Sequence, residues 1–210
     1  MFVQTKLDSE YKNAELKVRV DVTGGGELKL ELFDTEKKNT VASASKTAAS
    51  SGPVEFSLSV ENPLKWTAET PNLYHLVISL GDAGFVAHRV GFRQVEMKDG
   101  LIKVNGRRIV LKGANRHEHH PTLGRAVPYE FLKRDLLVMK THNINAIRTS
   151  HQPSDVRLYD LADELGVKLS VSTCGGARLL IHVLQFWIMD EADLECHGFE
   201  SICKSHISYA

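Results

Sequence analysis

A change of hydrophobic period near the middle of the chain constrains its folding more than any other feature. From Glu15 to Val22, Leu16, Val18, Val20 and Val22 fall on one face and Glu15, Lys17, Arg19 and Asp21 on the other. Such alternation is the signature of a strand with one wet face. It resumes after Gly24-Gly25-Gly26 in Glu27 to Leu32, and again in Val54 to Val60 and Leu73 to Leu80. Short strands separated by turn residues predict an antiparallel sandwich. Between them, residues 35–52 are rich in Lys, Ser, Thr and Ala, which predicts an exposed strand edge or a mobile loop. Asn62-Pro63, Trp66 and Pro71-Asn72 read as a corner that packs one large aromatic against the sandwich.

Beyond about residue 96 the pattern changes. Asp99-Gly100 and Asn105-Gly106 bracket Leu101 to Asn105, and Asn-Gly between apolar runs is the strongest short hairpin signal. The continuous Ile109-Val110-Leu111 run predicts a return strand, Arg108 to Gly113, buried on both faces. Pro128 suits a first helical turn, with Leu132, Leu136 and Met139 at helical spacing. A short strand, Ile144 to Ile147, leads into Arg148-Thr149-Ser150-His151. A second helix follows Pro153, with Leu158, Leu161, Ala162 and Leu165 on one face and Gly166 placed to end it. Phe186 to Met189 reads as a third strand, running into Asp190 to Gly198. Strand, helix, strand, helix, strand is the order of a (β/α) barrel, in which functional groups gather at the C-terminal ends of the strands.

Composition narrows the function. The 26 basic and 26 acidic residues cancel, so no net field recruits nucleic acid or an anionic membrane. No apolar run reaches the ~20 residues of a membrane span, and the first residues lack the layout of a secretion signal. The expectation is a cytoplasmic protein with neither nucleic acid nor membrane as partner. Cys174, Cys196 and Cys203 are an odd set without a C-x-x-C pair, which argues against a disulfide framework or a structural zinc site.

Each polar cluster at a strand end has a plain structural reading. His117-Glu118-His119-His120 lacks the two histidines four apart of a metalloprotease helix, and Arg148 alone suits an ion pair. Glu195 and His197 are two apart, so in an extended segment they face the same way and can reach one ion. A carboxylate, an imidazole and waters suit magnesium or manganese.

Several ordered stretches carry a family resemblance: Asn62 to Tyr74, Val90-Gly91-Phe92-Arg93, Val104-Asn105-Gly106, Lys112 to Pro121, Asn145 to His151, and Asp190 to Gly198. Together they resemble glycoside hydrolase family 2, most closely its β-galactosidase (lactase) type. The resemblance implies an immunoglobulin-like β-sandwich, residues 1–95, followed by an incomplete TIM (β/α) barrel, residues 96–210. It implies that His117 and His151 hydrogen-bond sugar hydroxyls and that Arg148 lines the site and steadies a catalytic carboxylate. Glu195 and His197 match two protein ligands of an active-site Mg2+, whose third is the acid/base glutamate of a later strand. The substrate implied is a β-galactoside or another carbohydrate, hydrolysed with retention of configuration, and the complete enzymes are implied to form homo-oligomers.

The same resemblance implies what the chain does not contain. Both catalytic glutamates lie on later barrel strands in the family, the acid/base within an Asn-Glu pair, and no Asn-Glu step follows His197. The expectation is a catalytically inactive polypeptide with three of the eight barrel strands. Two alternatives accompany it, a non-catalytic carbohydrate-binding chain and a fragment that complements a separately encoded remainder. The twenty or so residues from Gly166 to Phe186 exceed the about 2–6 usual for such a loop, so residues 168–185 read as a foreign insertion of the kind a translated intron would leave. Residues 199–210 read as an unmatched tail.

Overall fold

The computed structural model describes residues 1–151 and 153–171. They divide into two compact units, one comprising residues 1–65 and 72–94, the other residues 66–71, 95–151 and 153–171. The expected strand Phe186–Met189, the two magnesium ligands and the unmatched tail lie outside the described residues.

Seven antiparallel strands build the first unit: β1 (Phe2–Leu7), β2 (Ala14–Val22), β3 (Gly26–Phe33), β4 (Thr40–Ala48), β5 (Gly52–Val60), β6 (Tyr74–Leu80) and β7 (Gly84–Val90). They form two sheets, ordered β1-β2-β5 and β4-β3-β6-β7. Alternation decides which faces meet. Leu16 and Val18 of β2, Phe56 and Leu58 of β5, Leu30 and Leu32 of β3, and Leu76 and Ile78 of β6 share one core. Each such burial contributes about 1.5–3 kcal/mol. The polar stretch after residue 35 contains β4, an edge strand, because its small and polar side chains have little to bury. Two carboxylates close the tight connections by accepting backbone N–H groups. Asp8 accepts from Lys12 and Asn13 at 2.8 and 2.9 Å, and Asp34 accepts from Lys38 and Asn39 at 2.8 and 3.2 Å. Strands β1 and β7 carried no clear alternation and were not expected.

The second unit begins with a meander, β8 (Val95–Lys98), β9 (Leu101–Val104) and β10 (Arg107–Arg108). Both of its turns are two-residue hairpins, at Asp99-Gly100 and Asn105-Gly106, and all four residues have positive φ. This is why both turns end in glycine. A three-stranded parallel sheet follows, β11 (Gly113–Arg116), β12 (Ala146–Thr149) and β13 (Lys168–Val171), in that order. Helices α1 (Tyr129–Thr141) and α2 (Val156–Leu165) make the crossovers. Their buried residues, Leu132, Leu136, Leu158, Leu161 and Ala162, pack with Ile147 and Val167. Gly166 ends α2 in the left-handed region at φ 69°. This is the start of a (β/α) barrel, and it is open in the described residues.

Three sequence expectations are corrected here. The buried return strand Arg108 to Gly113 does not form: β10 stops at Arg108, and Val110 and Leu111 are 59% and 51% exposed. The first parallel strand is instead the less apolar Gly113–Arg116. Asn145 fixes its entry, with its side chain accepting from the Lys112 N–H and donating to the Val110 carbonyl. Gly113 permits the close pairing, since a Cβ there would lie 3.2 Å from the Ala146 carbonyl oxygen.

The Trp66 corner does not pack in the sandwich core. It belongs to the second unit, where the indole Nε1 donates to the Asp163 carbonyl at 2.7 Å and Lys140 Nζ donates to the Ala68 carbonyl at 2.8 Å. The Asp163 carbonyl near the end of α2 and the polar edge of the indole complement each other, which an aromatic count cannot reveal.

The third correction concerns the start of the presumed insertion. Lys168–Val171 pairs in parallel with β12, residue for residue from Ala146↔Lys168 to Thr149↔Val171. Helix α2 therefore leads almost directly to the third strand, as short αβ connections require, and residues 168–171 are part of the barrel sheet.

Candidate functional site

The parallel register builds the site. Asn115 and Arg148 are partners across β11 and β12, and Arg148 and Ser170 are partners across β12 and β13. Partners in adjacent strands share a face. Ala114 pairs with Ile147, and Arg116 with Thr149, so Ile147 and Arg116 face the helices while Asn115, Arg148 and Ser170 face the other side. Arg148 Nη1 donates to Asn115 Oδ1 at 3.5 Å.

Just past the strand ends, the backbone N–H of Ser150 donates to the Arg116 carbonyl at 2.9 Å. The next residue on each chain segment is a histidine. His117 and His151 meet edge to face, with ring centroids 5.5 Å apart and planes at 83°. His119 brings a third ring within 5.9 Å of His117. Both His117 and His151 are exposed, and Arg148 is half-buried. His117, Arg148 and His151, the three residues expected from the sequence to contact substrate, thus lie at the C-terminal ends of two adjacent parallel strands. His120 turns away: its Nδ1 accepts the Leu123 N–H at 3.2 Å and its ring packs on Phe131 at 4.7 Å.

The surrounding charges are structural. Asp155 caps α2 and pairs with Arg157, and the hydrogen bonds from Arg157 hold its carboxyl below the ordinary range against the opposing effect of burial. Burial pushes the Tyr159 hydroxyl up and the Lys168 ammonium down. Among the described residues, no group of three or more His, Cys, Asp or Glu is placed to hold a metal ion. The expected ligands Glu195 and His197 are not among them. The sequence reading passed over Asn115, although its place two residues before His117 was a usable signal. In an extended segment residues two apart share a face.

What this arrangement belongs to is decided by comparison. A model described as "Glycosyl hydrolases family 2" matches residues 1–93, and one described as "Glycosyl hydrolases family 2, TIM barrel domain" matches residues 95–173. The chain belongs to glycoside hydrolase family 2. The second match runs through β13, in agreement with the parallel pairing of residues 168–171.

The β-galactosidase of Kluyveromyces lactis is 40% identical over an alignment of 228 positions, covering 96% of this chain and 20% of that protein. The β-galactosidase of Vibrio cholerae is 36% identical over 214, covering 94% and 19%. Among solved structures, the β-glucuronidase of Ruminococcus gnavus superposes with a TM-score of 0.71 at 31% identity, covering 81% of this chain and 28% of that one. The chain spans about one fifth of the length of the two β-galactosidases. Among the described residues, no helix is long and apolar enough to cross a membrane.

Proposed function

We propose that this chain carries part of the sugar-binding wall of a retaining β-galactosidase. His117 and His151 hydrogen-bond substrate hydroxyls, and Arg148, oriented by Asn115, steadies a catalytic carboxylate supplied by a later strand. The observation that carries this reading is the meeting of His117 and His151 at 5.5 Å at the ends of neighbouring parallel strands. Imidazoles and a guanidinium held on a rigid sheet suit a hydroxyl-rich ligand and a transition state whose hydrogen bonds tighten as charge develops. The similarity to β-galactosidases at 36–40% identity favours galactose over glucuronic acid, although the structural neighbour is named a β-glucuronidase.

Glu195 and His197 are proposed, on the resemblance alone, as two ligands of Mg2+, which would supply positive charge beside the acid/base carboxyl. On the same resemblance, both catalytic carboxyls are assigned to later barrel strands. Produced alone, the polypeptide is expected to bind galactose weakly and to leave a chromogenic β-galactoside uncleaved. Calorimetry should show galactose heats that vanish in His117→Ala and Arg148→Ala. Equal heats in wild type and variants would sink the sugar wall, and a robust magnesium-dependent rate would overturn the placement of the carboxyls.

A further inference from the structure

Arg116 and Glu118 flank His117 in sequence, and neither has a part in the proposed sugar contacts. Exposure alternates along this segment: Arg116 is buried, His117 exposed, Glu118 half-buried and His119 exposed. The two charged side chains therefore face the helices, opposite to the imidazoles. The Arg116 guanidinium, with its side chain 4% exposed, donates from Nε and Nη2 to Asp135 Oδ2 on α1 at 3.1 and 2.9 Å. Its Nη1 makes no hydrogen bond and lies 3.7 Å from Glu118 Oε1. Glu118 Oε1 in turn accepts the backbone N–H of Asp155, the capping residue of α2, at 3.0 Å. The Arg116 carbonyl takes the Ser150 N–H, next to His151.

From this geometry we infer that Arg116 and Glu118 are positioning residues, a clamp that ties the His117 segment to both helices and sets the angle at which His117 meets His151. The clamp rests on the sugar-wall reading for its purpose but not for its existence. The His117 ring is exposed and touches the rings of His119 and His151, both exposed as well, so its orientation depends on the backbone that carries it. The neighbours on either side are anchored in different elements, so the chain between them has little freedom to rotate the ring. A buried guanidinium needs its carboxylates near to offset lost hydration, which makes the anchor stiff.

Nuclear magnetic resonance of the full chain with labelled histidine rings tests this. Wild type should show a ring-to-ring nuclear Overhauser effect between His117 and His151. Glu118→Ala should weaken it several-fold and speed hydrogen exchange at the Asp155 amide. Glu118→Gln, whose amide oxygen still accepts that N–H, should restore both. Should Glu118→Ala fail to fold, Asp155→Pro removes the same donor at a φ of −50° that proline accepts, and it should weaken the effect as well. Ile147→Val, a core change beneath the same sheet, should lower the melting temperature and leave the ring contact intact.

An undiminished contact in Glu118→Ala or Asp155→Pro, or its absence in wild type, overturns the clamp. Loss of the contact in Ile147→Val to the same degree also overturns it, because the effect would then be general loosening. Galactose added to wild type should shift both ring resonances. No shift, with the contact present, overturns the sugar wall and leaves the clamp standing.

Discussion

In the sandwich, β2, β3, β5 and β6 each send alternate side chains into a core shared by two sheets, whereas the sheet of β11, β12 and β13 buries one face beneath α1 and α2 and keeps Asn115, Arg148 and Ser170 on the other. The first arrangement encloses its core between the strands described, although Phe85 and Val86 of β7 are 73% and 45% exposed. The second leaves its three-stranded sheet open in the described residues, and Leu137 and Val138 of α1 are 44% and 49% exposed. A sandwich closes its core with two sheets, but a (β/α) sheet gains burial with every further unit. Relatives about five times longer than this chain have room for those units. The difference teaches that one region has most of its stability locally available, while the other keeps a polar face for chemistry and draws on more distant chain to complete its core.

The contrast predicts two separable unfolding transitions, and the largest effects should fall on one transition each. Leu30 is fully buried, so Leu30→Ala should cost the sandwich about 2–5 kcal/mol. At Gly166 an added Cβ would lie 2.3 Å from the Ala68 carbonyl oxygen, at a φ that disfavours any side chain. Gly166→Ala should cost the second unit more than about 2 kcal/mol, since the left-handed conformation alone costs about 1–2. Calorimetric scans that show both variants shifting a single common transition would erase the distinction between the units.

A smaller effect sharpens it. Trp66 lies between β5 and β6 in sequence yet bonds to α2, so Trp66→Phe should weaken the second unit by about 1–2 kcal/mol through the lost Nε1 hydrogen bond. The sandwich transition should hardly move; a shift there instead would return the indole to the sandwich core.

The smallest effects concern acid. Asp8 in the sandwich is held below its ordinary range chiefly by the backbone N–H groups of Asn13 and Lys12, and Asp155 in the second unit by Arg157. Because the folded values are depressed, each contribution is present above the unfolded value and is lost as pH falls through the folded one, that is, below about pH 4. Asp8→Asn should flatten the acid dependence of the first transition and Asp155→Asn that of the second, when melting is followed between about pH 6 and pH 3. An unchanged acid slope in either variant would show that its carboxylate is not a source of that dependence.

How legible each region was in the sequence follows the same line. Strands β2, β3, β5 and β6 were read from alternation, since a half-buried strand writes its two faces directly into the residue order. The hairpin turn at Asn105-Gly106 was read from its Asn-Gly pair, with Asp99-Gly100 marked as the other flank of that strand, and α2 was read from its apolar face and Gly166. The histidines and Arg148 were read as a group from resemblance, and the parallel register brings them to neighbouring strand ends. Three readings failed where a partner distant in sequence decides. Ile109-Val110-Leu111 looks like a buried strand, but beyond the Ile109 N–H, which donates to the Ile102 carbonyl of β9, Val110 and Leu111 are exposed. Trp66 looks like a sandwich aromatic but bonds to Asp163. Lys168–Val171 looks like the start of an insertion but pairs with β12.

By itself, then, the order of residues determined the alternating strands, the two glycine turns, the helix faces and the types of side chain available for sugar chemistry, because each of these depends on neighbours within a few positions. Tertiary structure alone decided that Asn115 stands beside Arg148, that Ser150 hangs from Arg116 so that two imidazoles meet, and that Asp135 and Asp155 anchor the segment between them. Those pairings join residues up to dozens of positions apart, and only the register of the parallel strands and the packing of two helices against them fix which groups come together.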